Sequence, residues 1–410
     1  MSTEVRLVVA IDFGTTSSGY AFAHKEIPQN IIVQSDWGVI NSFKVPTVIQ
    51  YEDDSYTKVK SWGFPALAEK PTSQNKAKNS SKPIELFKLH LVESLKEKPF
   101  LPKGLNFKDV IRDFMKELGD HIEESLNRHW KSIDFYKNVL IVLTVPAEFD
   151  DKAIAIYREC VVNAGLLKDK YSNNLKFTTE SEASAIYCLN YATKVGHILT
   201  PGASFMVVDC GKSTVDLTTR ELLEDERLSE ITDRTGDFCG SSSIDQAFLN
   251  IVEEKVGKSA IESVKNDHYF QFQYFVEEFC KEVKIPFTGV NDETGTLDLE
   301  SSLPAIKKYI RGEEKNRMEE EEWLINLSFE DIKNMFDPVI DKIIHLIRGQ
   351  LDKNEKGCSA IFLTGEFSES KYLQARIREE FGEIIFVPPH PSTSVMVGGV
   401  LYGLQERIVY

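Results

Sequence analysis

Nowhere in this 410-residue chain do two cysteines form a C-x-x-C pair; the six, Cys160, Cys188, Cys210, Cys239, Cys280 and Cys358, are scattered. That spacing excludes a zinc ribbon or a small disulfide framework, and most of the six fall in apolar runs, where a free thiol behaves as a small hydrophobe. Reduced thiols point to the cytoplasm. An excess of basic charge is missing too: 48 Lys and Arg against 64 Asp and Glu give a net charge of −16. Nucleic acid and acidic membranes are met by clustered Lys and Arg, so neither is an expected partner. No apolar stretch approaches the roughly 20 residues of a membrane span, and the run before Asp12 is too short for a secretory leader.

With 42% hydrophobic and 27% charged residues, the composition is that of a globular chain, and the length suits roughly two to three domains. What organises it is a repeated device. Residues 7–11 are an apolar, β-branched run that meets Asp12-Phe13-Gly14-Thr15-Thr16-Ser17-Ser18-Gly19, and residues 20–23 resume the apolar pattern. Strand, tight polar turn and strand are expected. Residues 205–208 lead in the same way into Asp209-Cys210-Gly211-Lys212-Ser213-Thr214, and residues 215–218 alternate as a return strand. Each copy ends a buried strand in Asp, with Gly two residues on and Thr soon after, and the two Asp lie 197 positions apart. That offset is about half the chain, so a duplicated α/β unit facing its twin is the economical explanation.

Between the copies, residues 139–145 read as a buried strand stopped by Pro146, and Asp150 and Asp151 open a helix that Gly165 closes. Another helix follows Glu180, residues 196–202 read as a linker, and residues 70–83, rich in Ser, Asn, Lys and Pro, as a surface loop. Residues 311–322 read as a solvated charged helix or loop. Residues 340–347 read as helix, 360–363 as a strand running into Thr364-Gly365, and 394–404 as an apolar helix whose Gly398 and Gly399 permit close backbone packing.

A strand-terminal turn of Gly, Thr and Ser offers backbone N–H groups and hydroxyls in a small concavity, which is what a polyphosphate needs. Beside phosphates the bare carboxylates of Asp12 and Asp209 would be repelled, and a hydrated Mg²⁺ resolves that conflict. The competing reading is a pair of ordinary hairpins with Asp as turn former; the repetition favours phosphate. Gly211-Lys212-Ser213-Thr214 looks like the end of a G-x-x-x-x-G-K-[ST] loop. However, Met206 stands where the first glycine belongs, and strand rather than helix follows.

Ile11-Asp12-Phe13-Gly14-Thr15-Thr16-Ser17 is similar to the first phosphate motif in the nucleotide-binding domain of the seventy-kilodalton heat-shock chaperones. Residues 208–216 resemble the second phosphate motif, and 363–370 the adenosine motif. Residues 143–149 resemble the family's strand-to-helix signature, and 180–185 and 397–403 its two connecting helices. The blocks come in the family's order over almost the whole chain, with the divergent type-twelve branch the best match. The resemblance implies a duplicated actin-like (ribonuclease H-like) ATPase fold of two lobes around a central nucleotide cleft. Lobe I would span 1–197 with a peripheral subdomain at 38–120, and lobe II 198–388 with one at 240–326. Residues 389–410 would return to lobe I as a helix.

The same resemblance implies ATP or ADP with Mg²⁺ as cofactors, and roles for particular residues. Asp12 and Asp209 would anchor the metal through water, and Gly14, Thr15 and Thr16 would wrap the β-phosphate. Gly211, Lys212, Ser213 and Gly240 fall on the second lobe's nucleotide-binding stretches. Lys88 stands where the family keeps a Lys near the γ-phosphate and the attacking water; its competing reading is a surface lysine. Glu180 and Thr214 would order that water, completing a catalytic set of Lys88, Glu180, Asp209 and Thr214. Thr364 and Gly365 fall on the adenosine motif, Gly365 letting adenine and ribose approach the backbone. Glu278 and Lys281 fall near the ribose-and-adenine clamp, with plain helix-surface charge as the competing reading.

The departures also carry expectations. Lys212 and Ser213 replace consecutive glycines, and side chains there cost about 1–2 kcal/mol if held at left-handed φ. The second glycine-rich stretch is Cys239-Gly240-Ser241-Ser242-Ser243, and Thr364 replaces another glycine. Nucleotide binding with slow or absent hydrolysis is therefore expected. The sequence ends at Tyr410, and no client-binding β-domain is expected in it. A monomeric Mg-ATP-binding switch with co-chaperones or other proteins as partners is the leading reading. A non-catalytic nucleotide-binding interaction module and a small-molecule kinase of the same superfamily are the alternatives.

Overall fold

Strands that are apolar over most of their length and buried nearly throughout belong in the middle of a sheet, where both faces are covered. In the computed structural model, which describes residues 5–38, 40–67, 82–93, 95–197, 199–224 and 227–405, two sheets are built around such strands. The first comprises β1 (Leu7–Phe13), β2 (Ser17–His24), β3 (Ile32–Val33), β4 (Val45–Pro46), β5 (Val139–Val145) and β6 (Leu175–Thr179). Its order is β3-β2-β1-β5-β6, with β4 also joined to β2. The second comprises β7 (Ser204–Cys210), β8 (Val215–Leu222), β9 (Leu228–Glu230), β10 (Thr235–Asp237), β11 (Ala360–Thr364) and β12 (Ile385–Phe386). Its order is β9-β8-β7-β11-β12, with β10 also joined to β8.

The two sheets repeat one plan: an antiparallel hairpin whose first strand is flanked by a parallel strand, with a second parallel strand beyond. Even the registers correspond, since Asp12 lies beside Gly19 and Thr144, and Asp209 beside Asp216 and Thr364. The duplication visible in the two Asp turns is therefore a duplication of strand order as well. Because β8 follows Thr214 as a strand, the Gly-Lys-Ser-Thr run opens no helix. The loop read at 70–83 falls largely outside the described residues, and no helix among the described residues is long and apolar enough to cross a membrane.

The chain divides into two units, one built on residues 5–66, 83–197 and 393–405, the other on 200–392. In the first, Leu7, Val9, Ile11 and Phe13 join Phe114, Leu118 and Tyr157 from the helices Phe107–His129 and Asp151–Asn163. The alternate residues Val8 and Ala10 join Met396 and Val400 of the helix Ser394–Leu404. That helix lies unusually close. A Cβ on Gly398 would come 1.8 Å from the Ala183 carbonyl oxygen, and one on Gly399 2.8 Å from the Ala10 Cβ. In the second unit, Met206 and Val208 share a core with the helices Ser242–Val256, Tyr269–Phe279 and Phe329–Lys353. Phe248 and Phe279 stack there at 3.9 Å between ring centroids. The charged run read at 311–322 contains the helix Gly312–Glu320, which buries only Met318.

Candidate functional site

The turn after β1 has its carbonyls fastened to the protein. Thr47, just past β4, donates its hydroxyl to the Gly14 carbonyl and its N–H to the Thr16 carbonyl, both at 2.9 Å. The Thr47 and Ser18 hydroxyls share a hydrogen bond of 2.7 Å. Pro46 suits this short edge strand, where a missing N–H leaves no ladder bond unmade. By contrast, the N–H groups of Thr15 and Thr16 have no acceptor among the described residues. Gly14 is required by the tightness of the turn, since a Cβ there would stand 2.1 Å from the Ser17 carbonyl oxygen.

Two lysines attend the carboxylates at this end of the sheet. Lys44 Nζ lies 2.7 Å from Asp12 Oδ2, with the Asp12 side chain 5% exposed. The lysine stem passes over Gly19, where a Cβ would come 3.3 Å from Lys44 Cγ and 2.8 Å from the Phe43 carbonyl oxygen. Lys88 is not a surface lysine. It is held on a 3₁₀ turn over Phe87–Leu91, and its ammonium lies 2.8 Å from Glu180 Oε1. The rings of Phe13 and Phe149 each lie 5.8 Å from it. Glu180 opens the helix Glu180–Lys194, whose cap, Thr179, accepts from the Glu182 N–H. A hydrated Mg²⁺ fits poorly at Asp12, because the Lys44 ammonium holds Oδ2 at 2.7 Å and a dication on the other oxygen would stand beside that like charge. Among the described residues no cluster of three His, Cys, Asp or Glu is placed to hold a metal directly.

The second turn follows the same polarity. The Gly211 N–H closes it onto the Thr214 carbonyl at 2.9 Å. The carbonyls of Gly211, Lys212 and Ser213 then accept from the N–H groups of Ser241, Ser242 and Gly240 at 3.2, 2.7 and 3.2 Å. A Cβ on Gly240 would come 2.4 Å from the Lys212 carbonyl oxygen, so only glycine lets the two loops meet. The N–H groups of Lys212 and Ser213 have no acceptor among the described residues. Neither residue has a positive φ, so the left-handed strain expected of side chains here is not incurred.

Gly365 is at φ +85°, and a Cβ on it would fall 2.3 Å from Asp209 Oδ1 and 2.4 Å from the Cys210 carbonyl oxygen. Its bareness is thus demanded by the half-buried Asp209. Thr364, fully buried beside Asp209 in register, keeps its hydroxyl without a hydrogen-bond partner among the described residues. The Thr214 hydroxyl donates to Asp216 at 2.9 Å. Burial pulls the Lys212 ammonium down, but Glu366, Asp245, Cys280 and Glu277 outweigh it and leave its pKa above the ordinary lysine value. Asp245 also accepts from the buried Lys284 at 2.6 Å, and Lys284 donates to the Ser241 carbonyl at 2.8 Å.

The first unit therefore gathers Asp12, Gly14, Thr15 and Thr16 on one turn and pairs Lys88 with Glu180. The second gathers Asp209, Gly211, Lys212, Ser213, Thr214, Gly240, Thr364 and Gly365. Lys281 stands apart, exposed and paired with Glu282 at 2.7 Å, and Glu278 accepts from the Tyr274 hydroxyl at 2.8 Å. Sequence reasoning missed Lys44, Thr47, Asp245, Glu277 and Lys284. Pro46 marks an edge strand and was the one available pointer to Lys44 and Thr47.

Residues 201–387, which hold the whole second turn and its neighbours, match the family described as "Domain of unknown function (DUF8340)". Heat shock 70 kDa protein 12A of Homo sapiens is 26% identical, over 98% of this chain and 70% of its own length. The same protein of Mus musculus gives the same values. Heat shock 70 kDa protein 12B of Homo sapiens is 24% identical over 98% of this chain and 69% of its own. The chain is homologous to the type-twelve heat-shock 70 kDa proteins. Likeness to the type-twelve proteins spans both turns, Lys88, Glu180 and the Thr364-Gly365 pair, whereas the unknown-function family leaves the first turn outside its match.

Proposed function

We propose that this chain binds ATP and ADP through its two Asp-x-Gly turns and acts as a nucleotide-dependent switch with slow turnover, on an actin-like ATPase fold. The observation that carries the reading is the polarity of the turns. In both, the carbonyls are tied back to the chain while successive N–H groups, at Thr15 and Thr16 and at Lys212 and Ser213, remain unclaimed among the described residues. Successive free amides are an anion cradle, and a polyphosphate is the anion with oxygens enough to use them. The repeated strand order and the type-twelve relatives support the actin-like assignment.

Slow turnover follows from Lys212. A cation on this turn beside the phosphates would stabilise a bound nucleotide before and during bond cleavage alike. Equal stabilisation of ground and transition states does not speed the chemical step. The same residue favours a second reading, a non-catalytic nucleotide-binding interaction module. Thermal melting with millimolar ATP or ADP tests the binding. A ligand at 100 times its Kd stabilises the folded state by about 2.7 kcal/mol, a rise of several degrees in melting temperature. No rise with either nucleotide refutes the proposal, and phosphate release from the same sample separates the slow ATPase from the silent binder.

A further inference from the structure

We infer that Lys44 is the standing counter-ion of Asp12, and that the first turn receives a nucleotide's phosphates with no divalent metal at that carboxylate. The inference rests on the nucleotide reading above and concerns how the negative charge of Asp12 is balanced. The placement of Lys44 is built rather than incidental. The segment that carries it is registered on β2 through Ser17–Pro46 and Ser18–Val45. Immediately after, Thr47 fastens it to the Gly14 and Thr16 carbonyls. Gly19 leaves room for Met396, for the Phe43 carbonyl and for the lysine stem beside them, and the head reaches Asp12 at 2.7 Å.

The electrostatic argument runs from burial. With its side chain 5% exposed, the Asp12 carboxylate needs a counter-charge, because an unpaired charge at such depth is strongly destabilising. The ammonium supplies one and removes the repulsion that a phosphate would otherwise meet. A Mg²⁺ that keeps its water shell would have to displace that ammonium, stranding a lysine whose side chain is itself only 18% exposed. Alternatively it would have to lie beside a like charge. Glu180, a second carboxylate at this end of the sheet, holds Lys88 at 2.8 Å in the same manner.

Calorimetric titration of the wild-type chain with ATP, in Mg²⁺ and in excess EDTA, tests the inference. The two dissociation constants should agree within about threefold, and a loss of about tenfold or more in EDTA, 1.4 kcal/mol, overturns it. Lys44→Met should create the metal dependence that the wild type lacks, with ATP binding weakened in EDTA and restored about tenfold by Mg²⁺. Mn²⁺ alone, titrated without nucleotide and followed by electron paramagnetic resonance, should be taken up by Lys44→Met and not by the wild type. Equal uptake by both overturns the inference. The wild-type titrations decide the matter even if the variant does not fold. If ATP binds in neither buffer, the nucleotide reading fails, while the Mn²⁺ comparison still decides whether Lys44 or a metal balances Asp12.

Discussion

Lys88 and Glu180 form an unequal pair, and the inequality is measurable. The lysine side chain is 4% exposed and the glutamate side chain 29%. Lys88→Met keeps most of the buried volume and leaves a carboxylate that water reaches, at a cost of about 1.5–3 kcal/mol for the lost charged hydrogen bond. Glu180→Ala instead strands an ammonium that water does not reach, and breaking a buried pair in that way costs about 3–5 kcal/mol. Lys88→Met also forgoes about 0.5–1 kcal/mol of cation–π attraction to the Phe13 and Phe149 faces, each 5.8 Å away. Loss of a carboxylate from a helix N-terminus adds about 0.3–1 kcal/mol to the cost of Glu180→Ala. Glu180→Ala should therefore be the more damaging change by roughly 1–2 kcal/mol. The double variant should recover part of that loss, because no charge is left stranded. Denaturant unfolding followed by tryptophan fluorescence reads this unit well, since Trp37, Trp62 and Trp130 lie in it and only Trp323 in the other. Equal losses for the two single variants, or a double variant below Glu180→Ala, would refute the reasoning.

Gly365→Ala should lose about 1–2 kcal/mol to left-handed strain and more to its collision with Asp209 and the Cys210 carbonyl. Gly357→Ala, at φ +79° with open space around it, should lose the strain alone; equal losses by denaturation would show that Asp209 yields without cost. Burial holds the Glu277 carboxyl above its ordinary value of 4.5, with Lys212 drawing it the other way. A carboxyl raised in the folded state weakens that state as it ionises, so the penalty is absent below the unfolded pKa and complete above the folded one. Glu277→Gln should therefore gain stability over the wild type as pH rises from about 4 to 7. A melting-temperature difference that stays flat or falls over that range would contradict the assignment.

Much of this was legible in the sequence, for identifiable reasons. The central strands and the Asp-Gly turns announce themselves through unbroken apolar runs that stop at small polar residues. The helix Ser394–Leu404 was read to its ends because its apolar run carries through its glycines without a proline or a charge. The helix Phe329–Lys353 was read only over 340–347; it runs on through Pro338, a residue that ordinarily marks a helix boundary. Lys44 was hidden because its contact with Asp12 spans 32 positions and depends on a two-residue edge strand. Lys284 was hidden by geometry. The helix ending at Phe279 continues as a wider π turn over Cys280–Lys284, which turns Lys284 inward and leaves Lys281, the residue the family resemblance pointed to, exposed. Lys212 and Ser213 were associated with left-handed φ because glycines stand there in the chaperones, whereas here the amides of 240–242 hold the turn at ordinary φ.

The helix over residues 394–404 has a consequence for how the chain is made. It covers the Val8, Ala10 and Val142 side of the first sheet, yet it leaves the ribosome about 200 residues after β6, roughly 10–40 s later at ordinary rates of synthesis. Throughout that interval the second unit is being translated while Val8, Ala10 and Val142 lack the helix that covers them. A nascent intermediate with an apolar sheet face open to water is a target for holding chaperones and for aggregation. Three glycines, at 398, 399 and 403, then let the late helix close against Ala183, Ala10 and Val8. The order of synthesis thus leaves the closing of this face to the last segment of the fold.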